Sequence, residues 1–458
     1  MADLDARQDA VTEKRLWVRL TRACNNHCVF CLDVGAHDGQ AVPEDEVLAR
    51  LRRGREEGAT RAILSGGEPT IHPRFLDLVK AARDMGYTWV QCVSNGRMFA
   101  YDKFAARAIA NGLREATLSM HGHTPELFER LVGIPGAYAQ SLAGLKNLLR
   151  MGAVVSVDIV LNRLNLPHLK EILQFYIGLG VYEFDLLHLV PFGLGFDRHR
   201  DELFEDPAVV ARELSRALEL VDEVPGLFLW TNRLPIALLE GHEELFQDPH
   251  KIYDEVLGER QAFRRLFADG TEPDCRGDRC AFCFLRPFCD AARAEAAWRH
   301  GTGGGAPRPA WLADESATEV DRAFCAAART WTDEALAERA AGGLRVPLRE
   351  DYREAVAAAP DPDDLRALRA RLDAPIGDLP PCLGGPLPAG VSRQATATRE
   401  APAPLDADEL PAFVSRFIRR LYRVKSLRCR DCRHDAACPG LHVNLARHWG
   451  LRVLAPER

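Results

Sequence analysis

The stretch RACNNHCVFCLD, residues 22–33, places three cysteines within eight consecutive residues with the spacing C-x3-C-x2-C. These are Cys24, Cys28 and Cys31, and the next cysteine along the chain is Cys92. A closed structural metal site uses four ligands, usually as two separated pairs. Three thiolates in one loop leave a coordination position open, and an open position on a metal or cluster is where a ligand can react.

The sequence around this loop alternates short, β-branched runs with amphipathic stretches of helical period. The runs are RLWVRL (15–20), RAILS (61–65), TWVQCVS (88–94), EATLSM (115–120), VVSVDIVL (154–161) and YEFDLLHLV (182–190). Six strands that are each followed by a helix predict an α/β fold with a parallel sheet, either open or barrel-like. Ligands of such folds gather at the carboxyl ends of the strands, which is where the three cysteines fall.

Polar residues and glycines follow the other predicted strands at the same edge. The second strand leads into SGGEPT (65–70), in which two glycines allow close approach of the backbone and Glu68 can bind an ammonium group. Ser94, Ser119 and Asn162 stand at the ends of the third, fourth and fifth strands. Such a rim is what a small-molecule site on this edge requires.

Composition limits the class of protein. The chain has 458 residues, 47% of them hydrophobic, a net charge of −7 and a pI near 6.1, which argues against a dedicated nucleic-acid binder. An apolar run of membrane-spanning length and a signal-peptide pattern are both lacking, so we expect a cytoplasmic protein without a membrane anchor. Thirteen cysteines in such a chain are expected to bind metal or carry out redox chemistry rather than form disulfides.

Residues 15–193 resemble the core domain of radical S-adenosylmethionine (SAM) enzymes, on the C-x3-C-x2-C run and the GGEP that follows the second strand. The resemblance implies an incomplete six-stranded (β/α)6 barrel. It also implies that Cys24, Cys28 and Cys31 hold a 4Fe–4S cluster whose fourth iron is chelated by SAM. The remaining implied SAM contacts are Phe30 against the adenine, Gly66, Gly67 and Glu68 at the methionine amino group, and Ser94, Ser119 and Asn162 at the strand ends. The alternative for the three cysteines alone is a zinc site completed by His27.

The second half of the chain contains two further cysteine triplets, both spaced C-x2-C-x5-C. They are CAFCFLRPFC (280–289) and CRDCRHDAAC (429–438), preceded by the similar segments LPIALLEG (234–241) and LPPCLGG (379–385). We interpret them as two copies of one unit. Local pairing predicts two four-cysteine sets, Cys275, Cys280, Cys283, Cys289 and Cys382, Cys429, Cys432, Cys438.

Each triplet is similar to the centre of the SPASM and twitch extensions, which bind auxiliary 4Fe–4S clusters in many radical SAM enzymes. The chain departs from the usual pattern, since no C-x3-C ending follows Cys289 or Cys438. Interleaved ligation, a cluster with an open iron, and two zinc sites therefore remain alternatives. The predicted domains are a radical SAM core at 1–200, a first auxiliary module at 201–300, and a Gly/Pro-rich linker (299–311) with a second module within 301–458.

The resemblance implies reductive cleavage of SAM and hydrogen abstraction from a substrate. Extensions of this kind accompany modification of peptides and proteins, which is the leading hypothesis; modification of a sugar, nucleoside or cofactor precursor is the alternative. A reductant such as flavodoxin or ferredoxin is an expected partner. Only fourteen residues precede the first predicted strand, so peptide recognition is expected to use a separate partner or the catalytic domain itself. No residue is identified as the catalytic acid or base.

Overall fold

A computed structural model describes residues 14–33, 39–300, 317–372, 374–385 and 410–457. The chain divides into two compact units, Met1–Arg233 and Leu234–Arg458. The boundaries predicted from the sequence are at residues 200 and 300. Residues 301–311 of the predicted linker lie outside the described part of the chain.

The first unit is built on a parallel seven-stranded sheet in which the strands follow chain order. The strands are β1 (Arg15–Thr21), β2 (Arg61–Gly66), β3 (Trp89–Ser94), β4 (Leu113–Ser119), β5 (Val154–Leu161), β6 (Glu183–His188) and β7 (Phe228–Asn232). The parallel α/β class is confirmed. Within the described residues β1 and β7 are not paired with each other, so the sheet is open rather than a closed barrel.

Strand β7 is the difference from the six predicted strands. It pairs in parallel with β6, from Glu183 opposite Phe228 to Leu187 opposite Asn232. The indole Nε1 of Trp230 also donates a hydrogen bond to Glu183 Oε1 at 3.0 Å. This additional strand is the reason that the first unit extends to Arg233.

Helices connect consecutive strands of this sheet. They are α1 (Glu44–Glu56), α2 (Phe75–Asp84), α3 (Asp102–Ala110), α4 (Pro125–Val132), α5 (Ala137–Arg150), α6 (Leu169–Gly178), α7 (Gly193–Asp197), α8 (Arg200–Leu203), α9 (Pro207–Leu218) and α10 (Leu220–Glu223). Helix α4 shows how its local sequence sets its limits. The Thr124 hydroxyl accepts a hydrogen bond from Leu127 N, Pro125 occupies the first turn, and Gly133 ends the helix in the left-handed region at φ 71°.

The two faces of the sheet differ in polarity. One face carries buried apolar side chains such as Leu64, Cys92 and Leu118, as expected for strands covered by helices. The other face is polar. Gln91 Nε2 donates to Thr117 Oγ1 at 2.8 Å, and the Thr117 hydroxyl pairs with that of Ser156 at 2.8 Å. The polar face of the sheet thus offers hydrogen-bonding groups near the strand ends.

The second unit consists mainly of helices and turns. Its helices are α11 (Lys251–Gly258), α12 (Arg260–Asp269), α13 (Arg286–Arg299), α14 (Arg322–Ala328), α15 (Asp333–Ala340), α16 (Tyr352–Ala358), α17 (Pro362–Ala370), α18 (Pro381–Gly384), α19 (Leu410–Arg416) and α20 (Val443–Trp449). The two-residue strands β8 (Thr318–Glu319), β9 (Leu344–Arg345) and β10 (Ile376–Gly377) form a parallel sheet, and β11 (Arg423–Val424) pairs antiparallel with β12 (Leu441–His442).

Aromatic packing provides much of the core of this second unit. Phe288 on α13 is fully buried and its ring contacts those of Phe263, Phe413 and Phe417 at centroid distances of 5.1, 5.5 and 5.2 Å. Edge-to-face pairs of this kind stabilise beyond the burial of their area. None of the described helices has the length and apolar content that a membrane crossing requires.

Candidate active site and cysteine sets

The cysteine loop, residues 24–31, begins three residues after the end of β1 and is held by backbone hydrogen bonds. His27 N and Val29 N donate to the carbonyls of Val132 and Leu131 at 2.9 and 3.0 Å, at the carboxyl end of α4. Within the loop, Cys31 N donates to Cys28 O at 3.1 Å. The loop conformation is therefore supported by protein contacts that do not involve a cofactor.

The GGE segment runs alongside this loop. Gly67 N donates to Thr21 O and Glu68 N donates to Ala23 O, both at 2.8 Å. A Cβ added to Gly67 would lie 2.1 Å from Ala23 O. The close backbone approach expected for this segment is thus made to the residues directly before the cysteine loop.

The carboxylate of Glu68 is buried and fully engaged with protein donors. Its oxygens accept hydrogen bonds from Thr70 N at 3.0 Å, from Ser94 Oγ and Asn95 N at 2.7 Å each, and from the Thr70 hydroxyl. Burial raises the pKa of Glu68, and the hydrogen bonds partly offset this rise. A carboxylate offers about four lone-pair positions, so these donors give Glu68 a structural role at the ends of β2 and β3.

Two other predicted SAM contacts are also engaged with the protein. The Ser94 hydroxyl, besides donating to Glu68, accepts from Gly96 N at 3.0 Å. Asn162 is buried; its amide nitrogen donates to Val160 O, and its amide oxygen accepts from Leu164 N at 3.0 Å. For Glu68, Ser94 and Asn162, contact with SAM stays a prediction.

Phe30 lies within the cysteine loop and is 8% exposed. Its ring meets that of His121 edge to face at a centroid distance of 4.8 Å. His121 Nδ1 accepts a hydrogen bond from Val160 N at 3.2 Å, and burial lowers the pKa of His121 to about 3. A neutral imidazole therefore supports Phe30, an arrangement that the sequence did not predict.

Burial also governs the thiols of the loop. It raises the pKa of Cys24 to about 11, while the backbone N–H of Asn26 opposes the rise. The pKa of Cys28 is raised as well, by burial and by the thiols of Cys24 and Cys31. Since only the thiolate binds a metal or cluster, loading of this loop must release protons.

A row of neighbouring side chains that includes two aspartates lies on the polar face of the sheet and was not predicted from the sequence. Ser119, Asp158, Asp185 and Trp230 occupy the same register level on β4, β5, β6 and β7. Burial, then Asp185, Glu183 and Glu115, raises the pKa of Asp158 well above its usual range. The available signal was the presence of carboxylates within two largely apolar strands, Asp158 on β5 and Glu183 and Asp185 at alternating positions of β6. Ser119 is the one predicted strand-end contact on this row.

The second unit brings Cys275, Cys280, Cys283 and Cys289 together. Burial and the thiols of Cys283, Cys275 and Cys280 raise the pKa of Cys289 to about 12. Burial, with Cys275 and Cys280 among its neighbours, also raises the pKa of Cys283. Cys280 lies in the short 3-10 turn Asp278–Phe282, and Cys289 on α13 is anchored by its buried neighbour Phe288.

The same unit brings together Cys382, Cys429, Cys432 and Cys438. Burial raises the pKa of Cys429 to about 11, and Cys438, Cys382 and Cys432 add to this rise. The local structure repeats that of the first set, because Cys429 lies in the 3-10 turn Leu427–Asp431. Cys432 N donates to Cys429 O at 3.0 Å, as Cys283 N does to Cys280 O at 3.4 Å.

A pocket is lined by all four cysteines of the second set. Pro380, Pro381, Lys425, His434 and Glu457 also line it. The Cys382 thiol accepts a hydrogen bond from the backbone of Ala455. The four cysteines thus line one common pocket.

Four cysteines can hold either a zinc ion or a 4Fe–4S cluster. A zinc ion binds sulfur at about 2.3 Å and so draws four sulfurs around a single point. In the described parts of the chain, no three His, Cys, Asp or Glu side chains are grouped so that they could hold one metal ion. A 4Fe–4S core instead places its thiolates on four different irons.

One domain of the chain is recognisable by its similarity to known proteins. Residues 18–176 match the family model of the Radical SAM superfamily. This part of the chain is a radical SAM domain. The family implies a 4Fe–4S cluster and SAM as cofactors, and the three-cysteine loop with its open position has the donors that such a cluster needs.

Curated relatives of the radical SAM domain include two probable GTP 3′,8-cyclases. The protein from Saccharolobus solfataricus is 30% identical over 191 residues, covering 41% of this chain and 61% of the relative. The protein from Sulfurisphaera tokodaii is 29% identical over 210 residues, covering 45% and 66%. The chain spans about three fifths of the length of the curated relatives it matches.

Among solved structures, similarity extends to Streptococcus suis SuiB bound to precursor peptide SuiA, with a TM-score of 0.43 and 16% identity, covering 53% of this chain and 56% of SuiB. It also extends to anSMEcpe with bound AdoMet and the Cp18Cys peptide, with a TM-score of 0.39 and 13% identity, covering 57% of this chain and 68% of that protein.

Proposed function

We propose that the chain is a radical SAM oxidoreductase that modifies a peptide or protein with the help of two auxiliary 4Fe–4S clusters. Cys24, Cys28 and Cys31 would hold the catalytic cluster. The auxiliary clusters would be held by Cys275, Cys280, Cys283, Cys289 and by Cys382, Cys429, Cys432, Cys438. The observation that carries this proposal is the presence of two separate four-cysteine sets in the second unit.

When loaded and reduced, the catalytic cluster supplies reductive cleavage of SAM to methionine and a 5′-deoxyadenosyl radical that takes a hydrogen atom from the substrate. The chain's own residues provide positioning and exclusion of water. Phe30, packed against the neutral His121, would contact the adenine ring. Asp158 and Asp185, on the polar face of the sheet, are candidates for contact with the substrate.

The auxiliary sets give the proposed reaction an electron path, because removal of a hydrogen atom leaves a substrate radical that must lose or gain an electron to become a stable product. A peptide dehydrogenation or crosslink loses an electron at this step. A reductant such as flavodoxin or ferredoxin would supply the first electron. Peptide recognition would involve a separate partner or the catalytic domain.

The decisive test for the catalytic cluster is anaerobic reconstitution followed by dithionite reduction with SAM. The wild-type protein is expected to release 5′-deoxyadenosine and methionine. Replacement of Cys24, Cys28 and Cys31 by Ala should abolish this release while the iron of the second unit is retained. Cys92→Ala is the matched control, because Cys92 is fully buried in β3 and belongs to no predicted set. Undiminished cleavage in the triple variant would refute the ligand assignment.

A small-molecule substrate is the second candidate, and the match of the radical SAM domain to probable GTP 3′,8-cyclases favours it. The two candidates separate when reduced enzyme and SAM are incubated with GTP in one arm and with candidate precursor peptides in the other. Loss of two hydrogens from a peptide, coupled to formation of 5′-deoxyadenosine, supports the hypothesis of a peptide substrate. SAM-dependent consumption of GTP with unchanged peptides would instead support a nucleotide substrate and refute the peptide substrate.

A further inference from the structure

The turn between the first two cysteines of the loop is held from outside by Arg97. This residue opens the 3-10 turn Arg97–Ala100 directly after β3. Its Nη1 donates to the carbonyl of Asn25 and, at 3.0 Å, to the side-chain oxygen of Asn26. These two residues follow Cys24 directly, so one guanidinium nitrogen fixes both the backbone and a side chain of the turn.

Arg97 is itself fixed on its other side. Its Nε donates to Gln140 Oε1 on α5 at 2.7 Å. The turn that carries Arg97 packs closely on the same helix, because a Cβ added to Gly144 of α5 would lie 2.1 Å from Gly96 O. A guanidinium with its planar fork can join these partners at once, and the ammonium of lysine lacks that fork.

Asn95 strengthens the same connection. Its amide nitrogen donates to Asn25 Oδ1 at 2.6 Å, and its amide oxygen accepts from Arg97 N at 3.1 Å. Its backbone N–H donates to the buried carboxylate of Glu68 at 2.7 Å. Asn95 and Arg97 thus tie the cysteine loop to β2, β3 and α5.

Asn26 connects the turn held by Arg97 and Asn95 to a cysteine sulfur. The backbone N–H of Asn26 donates to Cys24 Sγ at 3.4 Å. Hydrogen bonds to the sulfurs of an iron–sulfur cluster, and nearby positive charge, raise its reduction potential. The orientation of this donor depends on the turn that Arg97 and Asn95 hold.

We propose that Arg97 is a positioning residue for the catalytic cluster, which holds the Asn25–Asn26 turn so that the Asn26 N–H points at Cys24 Sγ. This inference rests on the proposed function, because it takes Cys24, Cys28 and Cys31 as the cluster ligands. Arg97 acts through Asn26 and does not itself touch the sulfur.

The experiment compares Arg97→Lys and Arg97→Gln with wild type in the full-length, anaerobically reconstituted protein. The control is Arg150→Gln, because Arg150 also lies on the surface of the first unit but pairs with the exposed Asp102 at 2.7 Å. Readouts are the iron content, the change that SAM produces in the electron paramagnetic resonance spectrum of the reduced protein, the reduction potential of the SAM-sensitive signal, and the rate of SAM cleavage.

Both Arg97 variants should keep their iron, lower the reduction potential of the SAM-sensitive cluster, and slow SAM cleavage by about 10- to 100-fold, the usual effect of removing a partner of a metal ligand. Arg150→Gln should match wild type. Because lysine keeps the charge, a shift in Arg97→Lys identifies geometry rather than charge as the cause.

Wild-type spectra and rates in both Arg97 variants would overturn the inference. So would a shift in Arg97→Gln alone, since this would identify charge as the cause. Loss of the loop's iron from both variants would assign Arg97 a folding role and overturn it too; if only Arg97→Gln loses iron, Arg97→Lys decides. A wild-type protein without any SAM-sensitive signal would instead refute the proposed function.

Discussion

Gly67 shows how the first unit builds its site from backbone as much as from side chains. The residue joins the end of β2 to the end of β1 through its N–H, and its missing side chain leaves room for the carbonyl of Ala23, directly before the cysteine loop. Glycine is the residue that permits such close approach of two backbone segments. The spacing of the ligand loop therefore depends on a position that contributes no chemistry of its own.

We expect Gly67→Ala to distort the cysteine loop, because the added Cβ would lie 2.1 Å from the backbone oxygen of Ala23. A backbone atom cannot move aside as the end of a flexible side chain can. SAM cleavage should fall by at least about tenfold, and the iron bound by the loop should become labile. The measurements are 5′-deoxyadenosine formation and iron retention after gel filtration.

Gly178→Ala is the control for this substitution. A Cβ at Gly178, near the end of α6, would meet nothing within 4 Å, and alanine favours a helix. Its activity and iron content should match wild type. An equal loss in both variants, or full activity in Gly67→Ala, would contradict the role given to Gly67.

At the scale of elements, six strands of the sheet could be predicted because each is a β-branched run between helical stretches. Strand β5 matches its predicted bounds, residues 154–161. Strand β7 was not predicted, because its five residues follow two helices and carry no motif. Strands β8, β9 and β10 have two residues each, too few for any periodicity to appear in the sequence.

The site residues also differ in whether the sequence could predict them. The cysteine triplets could be predicted because their spacing is local, and Cys382 could be paired with its triplet only through the repeat of the unit. The acidic row of Asp158 and Asp185 depends on the register between strands, and the clamp of Asn95 and Arg97 depends on contacts across about seventy residues of chain, as shown by the separation between Arg97 and Asn26. Pairings of this kind arise only when the sheet has formed.

The short strands of the second unit are joined by a buried ion pair. Arg423 on β11 donates to Asp378 Oδ1 at 3.3 Å and to Asp378 O at 2.8 Å, and the two side chains are 3% and 0% exposed. Arg423→Met should destabilise the protein by about 3–5 kcal/mol, because it leaves a buried carboxylate without its cation. Chemical denaturation measures the change.

The double variant Asp378→Asn with Arg423→Met provides the control, since it removes both charges together. It should recover a substantial part of the loss, because the buried charge is then absent. If the single and double variants unfold at the same denaturant concentration, the ion pair does not account for the effect.

His250 links α11 to its surroundings through two carboxylates and makes part of the stability pH-dependent. Its Nδ1 lies 2.8 Å from Asp248 Oδ1 and its Nε2 lies 3.3 Å from Glu350 Oε1. The hydrogen bond with Asp248 raises the pKa of His250 despite partial burial. A raised histidine pKa contributes stability fully below its unfolded value of about 6.5 and loses it as the pH rises through the folded value.

We therefore expect the wild-type protein to lose stability relative to His250→Gln between pH 6 and pH 8.5. The difference should be at most about 1 kcal/mol, because the imidazole is 43% exposed and solvent screens the pair. Denaturant titrations of both proteins at the two pH values measure it. Parallel pH profiles of the two proteins would show that His250 does not carry this dependence.

At the scale of the whole molecule, each unit has its own fold and its own cysteine sets. The first unit contains the loop with three cysteines at a strand end, and the second contains the two sets of four. Since every set is complete within one unit, loss of ligands in one unit need not empty the other. Iron content is thus a direct measure of how the cysteines are divided.

Three clusters correspond to about twelve irons per chain, and each set should account for about four. The triple variant Cys24→Ala, Cys28→Ala, Cys31→Ala should retain about eight irons, as should a variant that lacks Cys429, Cys432 and Cys438. The latter should still cleave SAM, because the catalytic loop is intact, while turnover of the true substrate falls.

Cys382 gives the most specific test of how the cysteines are assigned to clusters. Some 46 residues separate it from Cys429, and the structure nevertheless sets it beside Cys429 and Cys438. Cys382→Ala should make one cluster labile, with up to about four irons lost, and leave SAM cleavage intact. Cys325→Ala is the control, because Cys325 is buried on α14 and belongs to no set. Unchanged iron in Cys382→Ala would remove Cys382 from the ligands, and about four irons with two zinc ions in the wild-type protein would make both four-cysteine sets structural zinc sites.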